Sequence, residues 1–246
     1  MPPVAEWIVP DWPAPAGVRA VATTRQGGFS LPPYDSLNLG DHVGDDPDKV
    51  AKNRVQLRRS LALPAEPNWL EQVHGCEVAA CGSGQNKADA VIAGQVGEIC
   101  AVLTADCLPL LLCNRQGTTV AAVHAGWRGL AGGVIENAVA AFRQPGDELL
   151  AWMGPAIGAQ QFEVGDEVRE VFIAADPAAE TAFGAHGPGH WLADIYLLAR
   201  QRLASLNLGY VGGGEYCTVS DPERFFSYRR DSVTGRMAAL IWIESD

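Results

Sequence analysis

The chain has 246 residues, of which 48% are hydrophobic and 19% charged, and its formal net charge is −11. This length and composition can bury a sizeable core, and we expect one α+β domain over residues 1–246, because neither a linker nor an internal repeat interrupts the chain. The acidic balance argues against duplex nucleic acid or an anionic membrane as a partner and favours a small-molecule substrate.

The N-terminal segment and the cysteines indicate a cellular compartment. The segment MPPVAEWIVPDWPAPAG lacks the basic and apolar regions of a secretory signal, and no apolar run reaches the length of a membrane span. We therefore expect a cytoplasmic protein, a monomer, whose six cysteines are reduced thiols.

The first third of the chain predicts a strand, a loop and a helix. The strand lies in VRAVATTRQGGFS and runs into a glycine turn, and the loop is SLNLGDHVGDD. The helix lies in DDPDKVAKNRVQLRRSLAL, with Asp46 as its cap and Pro47 in its first turn. Arg54 falls in the middle of the apolar stripe of that helix. Its guanidinium therefore needs a partner, either a structural carboxylate or a bound anion.

The middle of the chain is rich in strands. NWLEQVHGCEVAACG predicts strand structure carrying His74, with Gln72 on the same strand face. ADAVIAG and ICAVLTA predict two more strands, and TADCLPLLLCNRQGTTVAAVHAG predicts a hairpin. A two-residue loop in that hairpin would place Cys107 directly opposite His124. Pro109 indicates that the first strand of the hairpin is an edge strand or carries a bulge.

The last third predicts helices and a closing strand. AGWRGLAGGVIENAVAAFR predicts a helix of about four turns, and Arg128 stands at its N-terminus, which favours an anion. LLAWMGPAIG predicts a strand and a tight loop, whereas VGDEVREVFIAA and WLADIYLLARQRLASLNLG predict two further helices. The end, YCTVSDPERFFSYRRDSVTGRMAALIWI, predicts a loop and a strand. Strands outnumber crossover helices, so we expect an α+β fold with mixed sheets and helices outside.

Two of the five histidines stand out. His74 and His124 are predicted at strand ends beside glycine, where loops build sites. With Cys107 they offer three ligands to a soft-to-borderline divalent metal, and three protein ligands leave zinc a fourth position for water or substrate. The alternative is a buried thiol with hydrogen-bonded core imidazoles. The other three histidines carry weaker signals: His42, His186 and His190.

Seven ordered motifs resemble those of a known family. They are TTRQGGFS, SLNLGDHVGDD, WLEQVHG, TADCLPLLL, AAVHAGWRGL, GPAIG followed by FEVG, and FFSYRRDSVTGR. Together they are similar to the YfiH family, also called the laccase-domain or multicopper polyphenol oxidase family and, more recently, a purine nucleoside phosphorylase family. The resemblance extends from about residue 7 to the C-terminus.

The resemblance implies a fold, an activity and a set of site residues. It implies a single-domain α/β/β/α sandwich with mixed sheets and a zinc site of His74, Cys107 and His124. It implies phosphorolysis of adenosine, inosine, guanosine and methylthioadenosine, with adenosine deaminase and polyphenol oxidase activities as secondary possibilities. The three ligands and Asp106 are the implied catalytic residues. The implied substrate-binding residues are Arg25, Asn38, Arg54, Gln72, Arg128 and Arg229.

Other functions remain open at this point. A four-copper oxidase would need many more histidine ligands than the five present, although one copper could occupy the same three ligands in vitro. A metal-free hydrolase could use Cys107 as nucleophile and His124 as base, with Asp106 orienting the imidazole if the strand begins after it. A zinc-bearing interaction module would instead need a closed site with four ligands.

Overall fold

The computed structural model describes residues 6–244. The expectation that the chain begins without a secretory signal falls partly on residues 1–5, which lie outside the described residues.

The described residues form a strand-rich chain with short helices. The strands are β1 (Trp7–Ile8), β2 (Val18–Thr23), β3 (Val78–Ala80), β4 (Ala90–Ala93), β5 (Ile99–Thr104), β6 (Leu108–Asn114), β7 (Val120–Ala125), β8 (Leu149–Met153), β9 (Glu163–Gly165), β10 (Phe183–Ala185), β11 (His190–Ala193), β12 (Tyr210–Gly213) and β13 (Met237–Ile243). The α-helices are α1 (Pro47–Ser60), α2 (Trp127–Gly132), α3 (Val134–Ala141), α4 (Asp166–Ala175), α5 (Ile195–Ser205) and α6 (Tyr228–Asp231). Two short 3₁₀ helices cover Gly146–Glu148 and Pro177–Ala182.

These strands form two large sheets and one small sheet. The four-stranded sheet has the order β1-β2-β13-β5 and is antiparallel. The six-stranded sheet has the order β12-β8-β6-β7-β4-β3 and is mixed, because β3 pairs with β4 and β12 with β8 in parallel. The small antiparallel sheet has the order β10-β11-β9.

The apolar side chains form three cores that define four layers. Leu57 of α1 and Leu240 of β13 belong to the core outside the four-stranded sheet. Leu111 and Ile241 belong to the core between the two large sheets. Leu110 points to the other face of β6, into the core shared with α2 to α5, because side chains alternate along a strand. The order helix, sheet, sheet, helices confirms the α/β/β/α sandwich.

The β6–β7 hairpin has a different register from the predicted one. Pro109 pairs with His124, and the loop spans residues 115–118. The predicted pairing of Cys107 with His124 is therefore wrong, because the Asn114 side chain accepts a hydrogen bond from the Thr119 N–H and stabilises a longer loop. The shift is two positions, and side chains alternate with period two, so Cys107 stays on the same side of the hairpin as His124.

Strand β6 is an interior strand, so the expectation of an edge strand or bulge at Pro109 is wrong. It lies between β8 and β7, and its pairs with β7 run without interruption from Leu108 to Cys113. Pro109 is tolerated because it is the second residue of the strand, where its C=O still accepts a bond of 2.9 Å from the N–H of Gly154.

The helices confirm some predicted boundaries and correct others. The side chain of Asp46 accepts from the N–H of Asp48 and caps α1, as predicted. The predicted four-turn helix after His124 is wrong, because Gly133 has φ of 95° and breaks it into α2 and α3. The segment 191–193 belongs to β11 and not to the following helix, which begins after Asp194. Within residues 6–244, no helix combines the length and the apolar character needed to cross a bilayer.

Candidate metal centre and adjoining pocket

Three ligand-type side chains converge at one end of the six-stranded sheet. His124 lies near the end of β7, Cys107 immediately precedes β6, and His74 lies in the loop before β3. Their ligand atoms all lie within 4.8 Å of one another, and Cys107 Sγ is 3.8 Å from His74 Nε2. Two imidazoles and one thiol in this arrangement fit a zinc or copper ion with an open position for a further ligand.

The position of His74 differs from the predicted one. It lies on a bend with φ of 60° and not on a strand. The strand alternation that placed Gln72 beside it is therefore wrong. The side chain of Gln72 instead donates to the C=O of Leu103 and accepts from its N–H, at 2.8 and 2.7 Å. Gln72 thus connects strand β5 to the loop in which His74 lies.

Asp89 organises two of the three ligands. It is fully buried immediately before β4, and its Oδ1 lies 2.8 Å from His124 Nδ1. The same carboxylate accepts from the N–H groups of Val73, His74 and Gly75, at 3.1, 2.9 and 2.7 Å. Because Nδ1 of His124 is engaged by Asp89, Nε2 is the nitrogen left for a metal. One carboxylate therefore sets the orientation of His124 and the conformation of the His74 loop.

Gly126 allows the ligands to approach one another. A Cβ built at this position would lie 2.9 Å from Cys107 Sγ and 3.1 Å from Cδ2 of His74. Any other side chain would therefore push into the space between the thiol and the imidazole. The sequence motif HAGWRG thus supplies both a ligand, His124, and the gap beside it.

The charges of the cluster favour a thiolate. Burial alone would raise the pKa of the Cys107 thiol, but the charge and hydrogen bond of His124, with help from His74, lower it to about 6. Burial alone would lower the pKa of His124, but the Cys107 thiolate and the Asp89 carboxylate raise it to about 9. Hydrogen bonds from His124 and the Gly75 N–H likewise outweigh burial and lower the pKa of Asp89. The thiolate is the form of cysteine that binds metals.

A cavity of about 280 Å³ opens beside the three ligands. Its wall combines apolar, aromatic and charged side chains: His74, Ala105, Asp106, Cys107, Trp127, Arg128, Ile157, Phe162, Ile195, Tyr228 and Arg229. A larger groove of about 580 Å³ follows the exposed side of α1, but its lining includes no histidine or cysteine. The site chemistry therefore belongs to the smaller cavity.

Asp106 does not orient His124. The strand does begin after it, at Leu108, but its φ of 91° turns the chain away from the extended conformation. Its Oδ1 accepts from the Thr218 hydroxyl at 2.6 Å, and its Oδ2 accepts from the Arg229 N–H at 2.7 Å. The contact expected of Asp106 is made by Asp89, while Asp106 lies in the cavity wall and holds Arg229 there.

Two of the six predicted substrate-binding residues line the cavity. Arg128 is exposed and stacks on Trp127, with 4.4 Å between its guanidinium carbon and the ring centroid. Arg229 donates to the carbonyls of Gln161 and Glu163, at 3.2 and 3.0 Å. These two cations stand at the wall of the cavity that His74 and Cys107, two of the three candidate ligands, also line.

The other three polar residues of that set hold the loops together, as Gln72 does. Arg25 donates to the carbonyls of Asp35 and Pro222, at 2.8 and 3.0 Å. Arg54 donates twice to the carbonyl of Leu39, and its guanidinium lies 3.3 Å from the carboxylate of Asp41. Asn38 is fully buried. None of these three residues is among those that line the cavity.

Asn38→Ala is expected to lower the free energy of unfolding. Its Oδ1 accepts from the N–H groups of Gly40 and Arg236, and its Nδ2 donates to Asp45 and to the carbonyl of Gly40. Leaving buried groups unpaired costs about 1–3 kcal/mol each, so we expect a loss of roughly 2–4 kcal/mol in a denaturation experiment. Unchanged stability with a raised KM would instead identify Asn38 as a substrate ligand.

Sequence reasoning missed one residue of the site. Asp89 is a lone carboxylate at the start of the apolar strand ADAVIAG, and that contrast is the signal that could have identified it.

Known proteins resemble this chain over nearly its whole length. Residues 19–244 match a family model described as multi-copper polyphenol oxidoreductase laccase. An Escherichia coli protein named purine nucleoside phosphorylase YfiH is 55% identical over 243 residues, which cover 98% of this chain and 100% of that protein. The crystal structure of Neisseria meningitidis protein NMB0706 superimposes with a TM-score of 0.93 at 49% identity, covering 97% of this chain and 99% of that one.

A more distant structure shows the same fold. YlmD from Geobacillus stearothermophilus has a TM-score of 0.90 at 31% identity, covering 97% of this chain and 96% of that one. The match of the family model over most of the chain, together with these full-length relatives, agrees with the ordered motifs of the sequence. The chain belongs to the YfiH family, the family whose model is described as multi-copper polyphenol oxidoreductase laccase.

Proposed function

We propose that this chain is a zinc-dependent purine nucleoside phosphorylase that acts on adenosine, inosine, guanosine and methylthioadenosine, with adenosine deaminase activity as a side reaction. The observation that carries the proposal is one cavity whose wall combines two arginines and apolar side chains with His74 and Cys107, which cluster with the buried His124. The Escherichia coli relative, which matches over its whole length, is named a purine nucleoside phosphorylase.

The donor set fits a zinc ion. Zinc binds thiolates and neutral imidazoles. Here the thiol has a lowered pKa, Asp89 holds Nδ1 of one imidazole, and Asp89 also binds the backbone N–H of the residue that carries the other imidazole. When bound there, zinc would supply Lewis-acid chemistry to a ligand in the cavity. The protein's part is to hold His74 and His124 in place and to keep Cys107 deprotonated.

Phosphorolysis requires the protein to bind inorganic phosphate beside the nucleoside. The acidic surface repels a dianion, so local cations must bind it. Arg128 and Arg229 are the cations in the cavity wall, and charge-assisted hydrogen bonds from guanidinium groups are strong and directional. Asp106 holds the backbone of Arg229, and the carbonyls of Gln161 and Glu163 hold its guanidinium at the cavity wall.

The nucleoside needs an apolar surface and a place for the departing base. Ile157, Phe162 and Ile195 provide the apolar wall, and Trp127 and Tyr228 provide aromatic faces on which a purine can stack. In the reaction a phosphate oxygen forms a bond to C1′ while the bond from C1′ to the purine nitrogen breaks. The electron pair of the broken bond goes to the purine, which takes up the proton that hydrogen phosphate gives up on becoming the sugar phosphate.

The hydrolase alternative is favoured by one observation. The low pKa of Cys107 beside the raised pKa of His124 is the pattern of a nucleophile and base pair. The same pattern is required of a metal-binding thiolate, so phosphate dependence must distinguish the two reactions. For a copper oxidase the five histidines remain too few for a multicopper centre, although the three ligands would also accept a single copper.

The phosphate dependence of base release tests the proposal. We expect the zinc-loaded protein to release the base from adenosine or inosine only when inorganic phosphate is present, with ribose 1-phosphate as the second product. Because a charge-assisted contact contributes about 1.5–3 kcal/mol, Arg128→Ala should slow turnover at low phosphate by about tenfold or more. Arg143→Ala removes an exposed arginine that does not line the cavity and is the matched control.

Base release that ignores phosphate would identify a hydrolase and favour the Cys107–His124 pair. No reaction of zinc-loaded protein with any of the four nucleosides would overturn the assignment as an enzyme of this class.

A further inference from the structure

A second cluster of metal-ligating side chains lies on the small three-stranded sheet. Ala185 of β10 pairs with Trp191 of β11, and the pairing continues one residue further, where the His186 N–H donates to the His190 C=O at 2.9 Å. The sequence Gly-Pro-Gly between the two histidines forms the hairpin loop. This loop therefore makes His186 and His190 direct cross-strand neighbours, a relation that a search for helical spacing does not detect.

Glu163 reaches the same face from the third strand of this sheet. His190 pairs with Gly165 of β9, and Glu163 lies two residues before Gly165, so all three share one face. Its Oε1 lies 3.1 Å from Nδ1 of His190, and its Oε2 lies 3.4 Å from Nε2 of His186. One carboxylate thus faces both imidazoles.

The surroundings of this cluster are open and acidic. The side chains of Glu163, His186 and His190 are 45%, 51% and 57% exposed. Gly184 occupies a neighbouring position on the same face, where an added Cβ would meet only a backbone oxygen at 3.9 Å. The carboxylate of Glu167 occupies the space where a Cβ at Gly165 would lie, and it adds a second negative charge beside the cluster. A hydrated cation can therefore approach the three side chains from solvent.

We propose that Glu163, His186 and His190 form a second metal site, which takes a divalent transition-metal ion, Cu²⁺ most tightly and Zn²⁺ less so. Ligand atoms that bind one ion at about 2.0–2.2 Å lie roughly 3.0–3.5 Å apart, and the carboxylate already lies at that range from each imidazole. The two imidazoles are half exposed, so they can turn towards an ion that they share with the carboxylate. Two imidazoles and a carboxylate suit copper and zinc, and copper binds such sites more strongly. The site contains no thiolate, which distinguishes it chemically from the set of His74, Cys107 and His124.

A metal count on variants of the full, untagged chain tests the second site. Chelator-stripped protein is titrated with Cu²⁺ in equilibrium dialysis, and the bound metal is measured by mass spectrometry. Wild type should bind two equivalents and the double variant His186→Ala, His190→Ala only one. Even the outer-shell partners of metal ligands contribute about 10- to 100-fold in affinity, so Glu163→Gln should weaken the second equivalent by at least tenfold.

The control is His42→Ala, which removes another exposed histidine beside a carboxylate, that of Asp41, at 3.5 Å. It should leave both equivalents in place. Paramagnetic resonance of the second equivalent should show nitrogen coupling in wild type and lose it in the double variant. Equal numbers of bound equivalents in wild type and in the double variant would show that the cluster is only a set of surface ion pairs and overturn the proposal.

Discussion

Cys107→Ala is expected to lose the bound zinc and the nucleoside activity while keeping the fold. The thiolate is one of the three proposed protein ligands, and its removal leaves two imidazoles, which bind zinc weakly. Since outer-shell partners alone contribute about 10- to 100-fold in metal affinity, we expect the affinity of this site to fall by at least about 100-fold. Metal analysis after dialysis measures the first effect, and phosphate-dependent base release measures the second.

Cys113→Ala is the matched control for that experiment. Cys113 lies on β6, the strand that Cys107 precedes, but it is fully buried in the core between the two large sheets. Its replacement should cost some stability and leave zinc binding and activity in place. Full retention of zinc by Cys107→Ala, with the fold intact by circular dichroism, would remove Cys107 from the ligand set.

Asp89→Asn is expected to weaken zinc binding by about 10- to 100-fold, because it changes how both histidines are held. The amide can accept with one oxygen only, whereas in the carboxylate Oδ1 accepts from His124 and the His74 N–H, and Oδ2 accepts from the Val73 and Gly75 N–H groups. Two donors must therefore lose their acceptor. We also expect the free energy of unfolding to fall, by about 1–3 kcal/mol for each buried donor left unpaired.

The same substitution at Asp194 provides the control for Asp89→Asn. The Asp194 side chain accepts from the N–H of Leu197 and caps α5, and it has no imidazole partner among its hydrogen bonds. Asparagine is nearly as good a cap, so stability should change little and zinc binding not at all. If Asp89→Asn bound zinc with wild-type affinity, the carboxylate would have no role in positioning the histidines.

The sequence predicted those parts of the fold that depend on local signals. The cap at Asp46 and Pro47 is local and correctly predicted α1, and the ordered motifs correctly implied the four layers. The predicted hairpin register was wrong because the Asn114 side chain stabilises a loop two residues longer than the predicted one. The composition of the loop does not distinguish the shorter loop from the longer one. The prediction of one continuous helix after His124 was wrong because Gly133 has a positive φ, which the pattern of apolar residues does not indicate.

The site shows the same division between local and distant contacts. Cys107 and His124 could be brought together from the hairpin, since a register error of two positions preserves the face. Asp89 lies 35 residues from His124 along the chain, and nothing in the spacing connects them. The sequence left two possible partners for Arg54, a structural group or a bound anion. In the structure its guanidinium donates to the carbonyl of Leu39 and lies beside the carboxylate of Asp41, so its partners are structural. Long-range partners of polar groups require the folded structure.

Anomalous diffraction at the zinc edge, from crystals loaded with one equivalent of zinc, tests most directly whether one zinc centre lies beside the cavity. We expect a single strong peak bonded to Nε2 of His74, Sγ of Cys107 and Nε2 of His124, at about 2.0–2.3 Å. The peak should vanish in data collected below the edge. A strongest zinc peak at any other place in the molecule, or one that does not contact Cys107, would contradict it.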